Sequence, residues 1–145
     1  MTPLLRVRQV VNVVNLSTPL GLVVALVGGG RPGRGPHGLV LAENYRSAFP
    51  GGAARAVTIG NVVLLRMSRA EAAALPGLIA HESRHATQYA CCIGPFGFLP
   101  AYFIACAWSW WHTGNVALRN VFEVRAGLAD GGYVQDPRRR GPQGV

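Results

Sequence analysis

The chain has 145 residues, of which 50% are hydrophobic and 14% are charged. This length and apolar content predict one folded domain with a real core, and they exclude a chain that is disordered throughout. All 14 basic residues are arginine, and the net charge is +8. The arginines are scattered and no nucleic-acid recognition motif accompanies them, so we expect no nucleic-acid partner.

The N-terminal part is apolar but does not resemble an export signal. The stretch 16–27 is followed by three glycines and an arginine, without the small-residue pattern of a cleavage site. We therefore expect an N-terminal helical segment over residues 1–30, and the sequence leaves the location open between cytoplasmic and membrane-associated. Residues 4–15 fit a helix or a strand equally well, whereas Ser17, Thr18 and Pro19 predict a capped helix that runs to about Val27.

The middle of the chain predicts a small antiparallel sheet. We expect a loop over residues 31–36 and a short strand over 38–42. Two β-branched runs, 56–59 and 62–65, flank Gly60-Asn61, which is typical of a β-hairpin. One longer strand with a bulge at Gly60 is the alternative.

Helices are predicted for most of the remaining chain. Ser68 and Glu71 have the spacing of a capping box. Further helices are predicted from Pro76 to about Cys92, over 98–112, and over 121–129, the last with Asn120 as its cap. The Pro/Gly/Arg-rich tail 135–145 is expected to be disordered.

The three cysteines, Cys91, Cys92 and Cys106, are an odd number, and no Cys-x-x-Cys pair occurs. A disulfide framework and a cysteine zinc site are therefore not expected, and the thiols are predicted to be inert in the core.

The pentapeptide His81-Glu82-Ser83-Arg84-His85 is the most informative motif. On a helix, residues four apart share a face, so both imidazoles can bind one metal ion. Glu82 lies beside that face and can act as a general base, since zinc lowers the pKa of a bound water to about 7. A third protein ligand is needed, and the candidates are Glu123, His112, Asp130 and His37. Glu123 is preferred because it lies on a predicted helix after Asn120.

The pattern His81-Glu82-x-x-His85-x-x-Gln88, followed by Asn120-x-x-Glu123-x-x-Ala126, resembles the small bacterial zincin-like domains of the gluzincin type. The resemblance covers residues 56–132. It implies an α+β zincin-like domain over 1–134 with His81, His85 and Glu123 as zinc ligands and Glu82 as the base. Better-known gluzincins have an Asp four residues after the ligand Glu, which orients a ligand His. Gly127 stands there in this chain, and Asp130 is a candidate substitute.

These residues predict a zinc-dependent hydrolase, most simply a metallopeptidase that acts on a peptide or protein substrate. Tyr133 and Tyr89 are candidates for stabilising an oxyanion, and Gln88 is a candidate to support the metal ligands.

A different prediction comes from residues 89–111, which carry no charge. Glycines and prolines interrupt this stretch, so we expect a buried helical hairpin with a partly buried Trp cluster, able to contact a membrane peripherally. The alternative function is therefore a non-catalytic zincin-like or membrane-associated binding domain.

Overall fold

The structure is a computed structural model, and it describes residues 2–50, 52 and 54–133. Six α-helices and a four-stranded sheet within these residues confirm the α+β class. The predicted tail 135–145 lies outside the described residues. The elements in chain order are α1 (Pro3–Val14), α2 (Ser17–Val27), β1 (Arg31–Arg34), β2 (Val40–Glu43), β3 (Ala56–Ile59), β4 (Val62–Leu65), α3 (Arg69–Ala73), α4 (Pro76–Cys91), α5 (Gly94–Thr113) and α6 (Val121–Ala126).

The sheet is mixed, so the prediction of an antiparallel sheet is wrong. Its strand order is β1-β2-β4-β3, and β2 pairs with β4 in parallel. The predicted loop 31–36 contains β1, which pairs antiparallel with β2 at the sheet edge, where a proline in a strand is tolerated. The hairpin of β3 and β4 is confirmed, with Gly60 at a φ of +63° between the strands, and the alternative of one bulged strand is wrong.

The core lies on both faces of the sheet, because β4 is buried along its whole length. Val63 and Leu65 pack in one cluster with α3 and with Leu78, Ile79 and Ala86 of α4. Val62 and Leu64 pack in a second cluster with α2 and α5. The consequence for function is that α4 is fixed directly against the sheet, beside β3.

The N-terminal segment, undecided between helix and strand in its first part, forms the two helices α1 and α2. Ser17 does not cap α2, contrary to expectation. The cap position is Leu16, which has a left-handed φ of 68°, and the Ser17 hydroxyl donates to Oδ1 of Asn15 at 2.6 Å.

The capping box of Ser68 and Glu71 at the start of α3 is confirmed, as is the Asn120 cap, whose Oδ1 accepts the amide of Phe122 at 3.0 Å. Helix α6 ends at Ala126 and is shorter than predicted. Helix α5 begins earlier than predicted, at Gly94, and is bent by 116° relative to α4.

Two predictions about burial are wrong. The three Trp side chains of α5 are exposed, Trp111 by 81%. Cys91 is also exposed, although Cys92 and Cys106 are partly buried. No single helix among the described residues is long and apolar enough to cross a membrane. Two pairs of consecutive helices, α1–α2 and α4–α5, reach that length and apolar composition when the two helices of a pair are taken together, but each pair is bent.

Candidate metal centre

Three buried side chains from two helices meet at one point. His81 and His85 lie one turn apart on α4, and Glu123 lies on α6. The Nε2 atoms of the two imidazoles are 3.0 Å apart. Oε2 of Glu123 lies 3.2 Å from the first of them and 3.4 Å from the second. The structure therefore brings together the three residues that the sequence suggested as ligands.

This triangle has the dimensions of a tetrahedral metal site. Two nitrogen ligands at about 2.1 Å from a zinc ion, at a tetrahedral angle, are separated by about 3.4 Å. The three observed separations are close to that value. An ion of this size fits between the three atoms with little rearrangement of the side chains.

Hydrogen bonds at the opposite ring nitrogens fix the tautomers of both histidines. Nδ1 of His81 lies 3.1 Å from the carbonyl oxygen of Ala126 and 3.0 Å from that of Gly127. Since a carbonyl only accepts, Nδ1 must carry the proton. Nδ1 of His85 lies 2.8 Å from Oε1 of Gln88.

The orientation of the Gln88 amide is fixed from its other end, because Nε2 of Gln88 donates to the carbonyl oxygen of Phe122 at 2.9 Å. Oε1 of Gln88 therefore faces His85 and accepts its Nδ1 proton. In the neutral imidazoles, both Nε2 atoms then present lone pairs to each other and to Glu123. The repulsion is relieved when a positive charge lies between the three atoms, either a proton on one Nε2 or a metal ion.

The carboxylate of Glu123 gives the same indication. Its Oε2 is buried and receives no hydrogen bond of good geometry, which is costly for a charged oxygen. Burial by itself would raise the pKa of Glu123, but His81, His85 and Tyr102 outweigh burial and hold this pKa well below its usual range. The carboxylate is therefore ionised, and its Oε2 faces the Nε2 atoms of both imidazoles at 3.2 and 3.4 Å.

Sequence reasoning missed Tyr102. Its hydroxyl donates a short hydrogen bond to Oε1 of Glu123, so it holds the carboxylate oxygen that does not face the imidazoles. Burial, followed by the charge of Glu123, raises the pKa of Tyr102, which keeps the hydroxyl a donor. No local signal in the sequence singles out Tyr102, because the same helix also buries the hydroxyl of Ser109.

Glu82 lies next to the metal ligands but is not one of them. It is buried, and its Oε2 accepts a hydrogen bond of 2.7 Å from the hydroxyl of Thr58 on β3. Glu82 and His81 both line a cleft of about 400 Å³. The walls of this cleft are formed by β3, by α4 and by the segment after α6. The other residues that line it are Ala54, Arg55, Ala56, Leu75, Gly77, Leu78, Ala129, Asp130, Gly131, Gly132 and Tyr133.

Asp130 does not orient a ligand histidine as suggested. It lies beyond the end of α6 and pairs with Arg84 at 2.8 Å. The backbone carbonyls of Ala126 and Gly127 orient His81 instead. A side chain at position 127, such as the Asp of better-known gluzincins, is therefore not needed for this role.

The other candidates divide into those near the cleft and those outside it. Tyr133 lines the cleft, with its ring centroid 6.1 Å from that of His81. Tyr89 is buried against Phe98 in the core and does not line the cleft. The alternative ligands His37 and His112 are exposed and do not belong to the cluster.

Compared with known proteins, the chain matches no family model, no curated protein and no solved structure. The resemblance to gluzincins therefore depends on the motif residues alone, and the chemistry has to be argued from the centre itself.

Proposed function

We propose that the protein is a zinc-dependent hydrolase, most simply a metallopeptidase, in which His81, His85 and Glu123 hold the ion. The observation that carries the proposal is the buried convergence of two imidazole nitrogens and a carboxylate oxygen. Two His and one Glu form a ligand set typical of catalytic zinc. When bound, the ion supplies Lewis acidity, which activates water and polarises a carbonyl.

The number of ligands favours a catalytic site over a structural one. Structural zinc sites are closed by four protein ligands, whereas catalytic sites keep one position open. Within the described residues, three side chains form the cluster, and one of them, His81, lines the cleft. A substrate in the cleft can therefore reach the centre.

Glu82 is the residue that moves the proton. Thr58 occupies its Oε2, which leaves Oε1 to accept the proton of the attacking water. As the C–N bond of the substrate breaks, the same carboxyl delivers that proton to the leaving amine. We assign to Tyr133, which also lines the cleft, the hydrogen bond to the oxygen that becomes negative.

Strand β3 suggests how a peptide would bind. It is an edge strand of the described sheet, and Arg55 and Ala56 line the cleft beside Glu82. An extended peptide can pair with such an edge. We therefore propose an unfolded or extended peptide segment as the substrate class.

The test combines metal analysis with hydrolysis of unfolded protein and fluorogenic peptides. Glu82→Gln should keep its zinc and lose activity by a factor on the order of 10²–10⁴. His85→Ala should lose the metal. His112→Ala is the matched control, because it removes an exposed histidine, and it should keep both metal and activity.

Three results would contradict the proposal. Equal metal content in His85→Ala and His112→Ala would place the ion elsewhere. Loss of zinc in Glu82→Gln would make Glu82 a ligand or a structural acid. Wild-type protein that holds zinc but cleaves no substrate would favour the alternative of a non-catalytic zincin-like binding domain.

A further inference from the structure

Helix α5 turns an apolar face outward along its whole length. The helix contains no Asp, Glu or Arg. Its inward face is packed on the domain, where Phe98 and Ser109 are buried. A surface helix normally places charged residues on its outer side. The exposed apolar residues recur at helical spacing, and they are Phe96, Pro100, Phe103, Ile104, Ala107, Trp108, Trp110 and Trp111.

Helix α2 has the same property. It too lacks charged residues. The exposed fraction of its outward residues rises to 85% at Val27. The exposed residues again share one face and are Pro19, Leu20, Val23, Leu26 and Val27.

The two faces are joined where the helix pairs bend. The bend between α1 and α2 lies at Asn15 and Leu16, and that between α4 and α5 lies at Ile93 and Gly94. The Asn15 side chain donates to the carbonyl oxygen of Tyr89 at 3.4 Å. A Cβ atom at Gly94 would lie only 2.7 Å from Cγ of Asn15, so the bends touch.

Leu16 and Ile93 at these bends are 55% and 79% exposed. They connect the outward faces of α2 and α5 into one region, which we call the apolar elbow surface. Exposed apolar patches that extend over several elements mark binding surfaces.

The charges around this surface have one sign. Helices α1, α2 and α5 contain no acidic residue. Arg6, Arg119 and Arg125 are exposed on or next to these helices. The acidic side chains of the described residues are either buried or bonded to a neighbour. Glu82 and Glu123 are buried. Glu43 bonds to Arg69, Glu71 to Ser68, and Asp130 to Arg84.

We propose that the apolar elbow surface docks on an anionic lipid bilayer, with α2 and α5 lying in the interface. Indole rings favour this depth, because they are apolar with one polar N–H. Arginines around an apolar face add attraction to anionic headgroups. The inward face of α5 is engaged by the domain, since Tyr102 bonds Glu123, so lipid can cover only the outward face.

This inference goes beyond the proposed hydrolase activity and does not depend on it. Along α4, His81 and the bend after Cys91 are separated by about 15 Å of helix. The Phe96 variant, which changes a side chain just beyond this bend, should therefore leave the metal centre intact, and far-UV circular dichroism reports correct folding of each variant.

The experiment uses the three tryptophans as probes, because all three lie exposed on α5 and the chain has no others. Vesicles of phosphatidylcholine mixed with phosphatidylserine should shift Trp emission to the blue and carry the protein upward in flotation. Phe96→Gln should weaken this binding about tenfold, the factor expected for one exposed aromatic side chain that enters the interface. Phe49→Gln is the matched control, since Phe49 is 76% exposed and Phe96 75%, and it should bind like the wild type.

Binding should also weaken severalfold on vesicles of phosphatidylcholine alone. The proposal is overturned if the folded wild type neither floats nor shifts its emission, or if Phe96→Gln and Phe49→Gln bind alike. A dimer without vesicles, which Phe96→Gln converts to a monomer, would show that a second copy covers the surface, and this too would overturn it.

Discussion

Removing the Tyr102 hydroxyl tests whether the residue outside the recognisable motif contributes to the metal centre. Tyr102→Phe keeps the ring, which packs 5.5 Å from Phe98 and 6.1 Å from Phe122 between centroids. It deletes only the hydrogen bond to Oε1 of Glu123. The change therefore leaves the helix packing in place and alters a single polar contact.

The magnitude follows from the charge and burial of the acceptor. A hydrogen bond to a charged group is worth about 1.5–3 kcal/mol. Glu123 is 2% exposed, so water cannot replace the lost donor. If the full value bears on metal binding, zinc affinity falls by about 10- to 100-fold, the range typical of a residue that supports a metal ligand.

The assay is zinc binding in competition with a chromophoric chelator, with unfolding by denaturant measured in parallel. Tyr133→Phe is the control, because the structure gives its hydroxyl no bond to a ligand. It should bind zinc normally and lower kcat, by up to about 10²–10³ if Tyr133 stabilises the oxyanion. If Tyr102→Phe binds zinc as tightly as the wild type, the contact has no role in the centre.

Three further predictions concern the surroundings of the ligands. Gln88→Ala removes the acceptor for Nδ1 of His85 and should weaken zinc binding about 10- to 100-fold in the same competition assay. Thr58→Val, which frees Oε2 of Glu82, should lower kcat about tenfold at unchanged zinc content. Burial alone would lower the pKa of His85, but Glu123 and Glu82 outweigh it and raise this pKa. Protons therefore compete with the metal, and zinc affinity should fall as the pH drops through that raised pKa and level off above it. An affinity that does not change across this range would show that His85 is not a ligand.

Local signals in the sequence predicted much of this molecule. The capping box at Ser68, the cap at Asn120 and the hairpin turn at Gly60 each depend on a few adjacent residues. The histidine pair on α4 follows from helical spacing. These features appear in the structure because neighbouring residues decide them.

Features that depend on distant contacts were not predicted. Strand β1 has a sequence typical of a loop, Arg-Pro-Gly-Arg, and is extended because β2 offers it an edge. The parallel pairing of β2 with β4 requires a crossover that no local pattern specifies. Tyr102 reaches Glu123 because α5 folds back by 116° at Ile93 and Gly94, and the carbonyls that orient His81 carry no signature in the sequence.

One short segment, residues 123–133, both completes the metal centre and forms a wall of the cleft. It provides the Glu123 carboxylate and the carbonyls bonded to His81. The guanidinium of Arg84 donates a hydrogen bond of 2.6 Å to the carbonyl oxygen of Ala126 in the same segment. Gly131 packs so tightly on the His81 ring that a Cβ there would lie 2.6 Å from Cε1. In the proposed hydrolase, binding of the ion and the shape of the substrate wall would therefore be coupled. Because such coupling is reciprocal, a peptide that packs against this wall should tighten the binding of the ion, and the apoprotein should bind that peptide more weakly by the same factor.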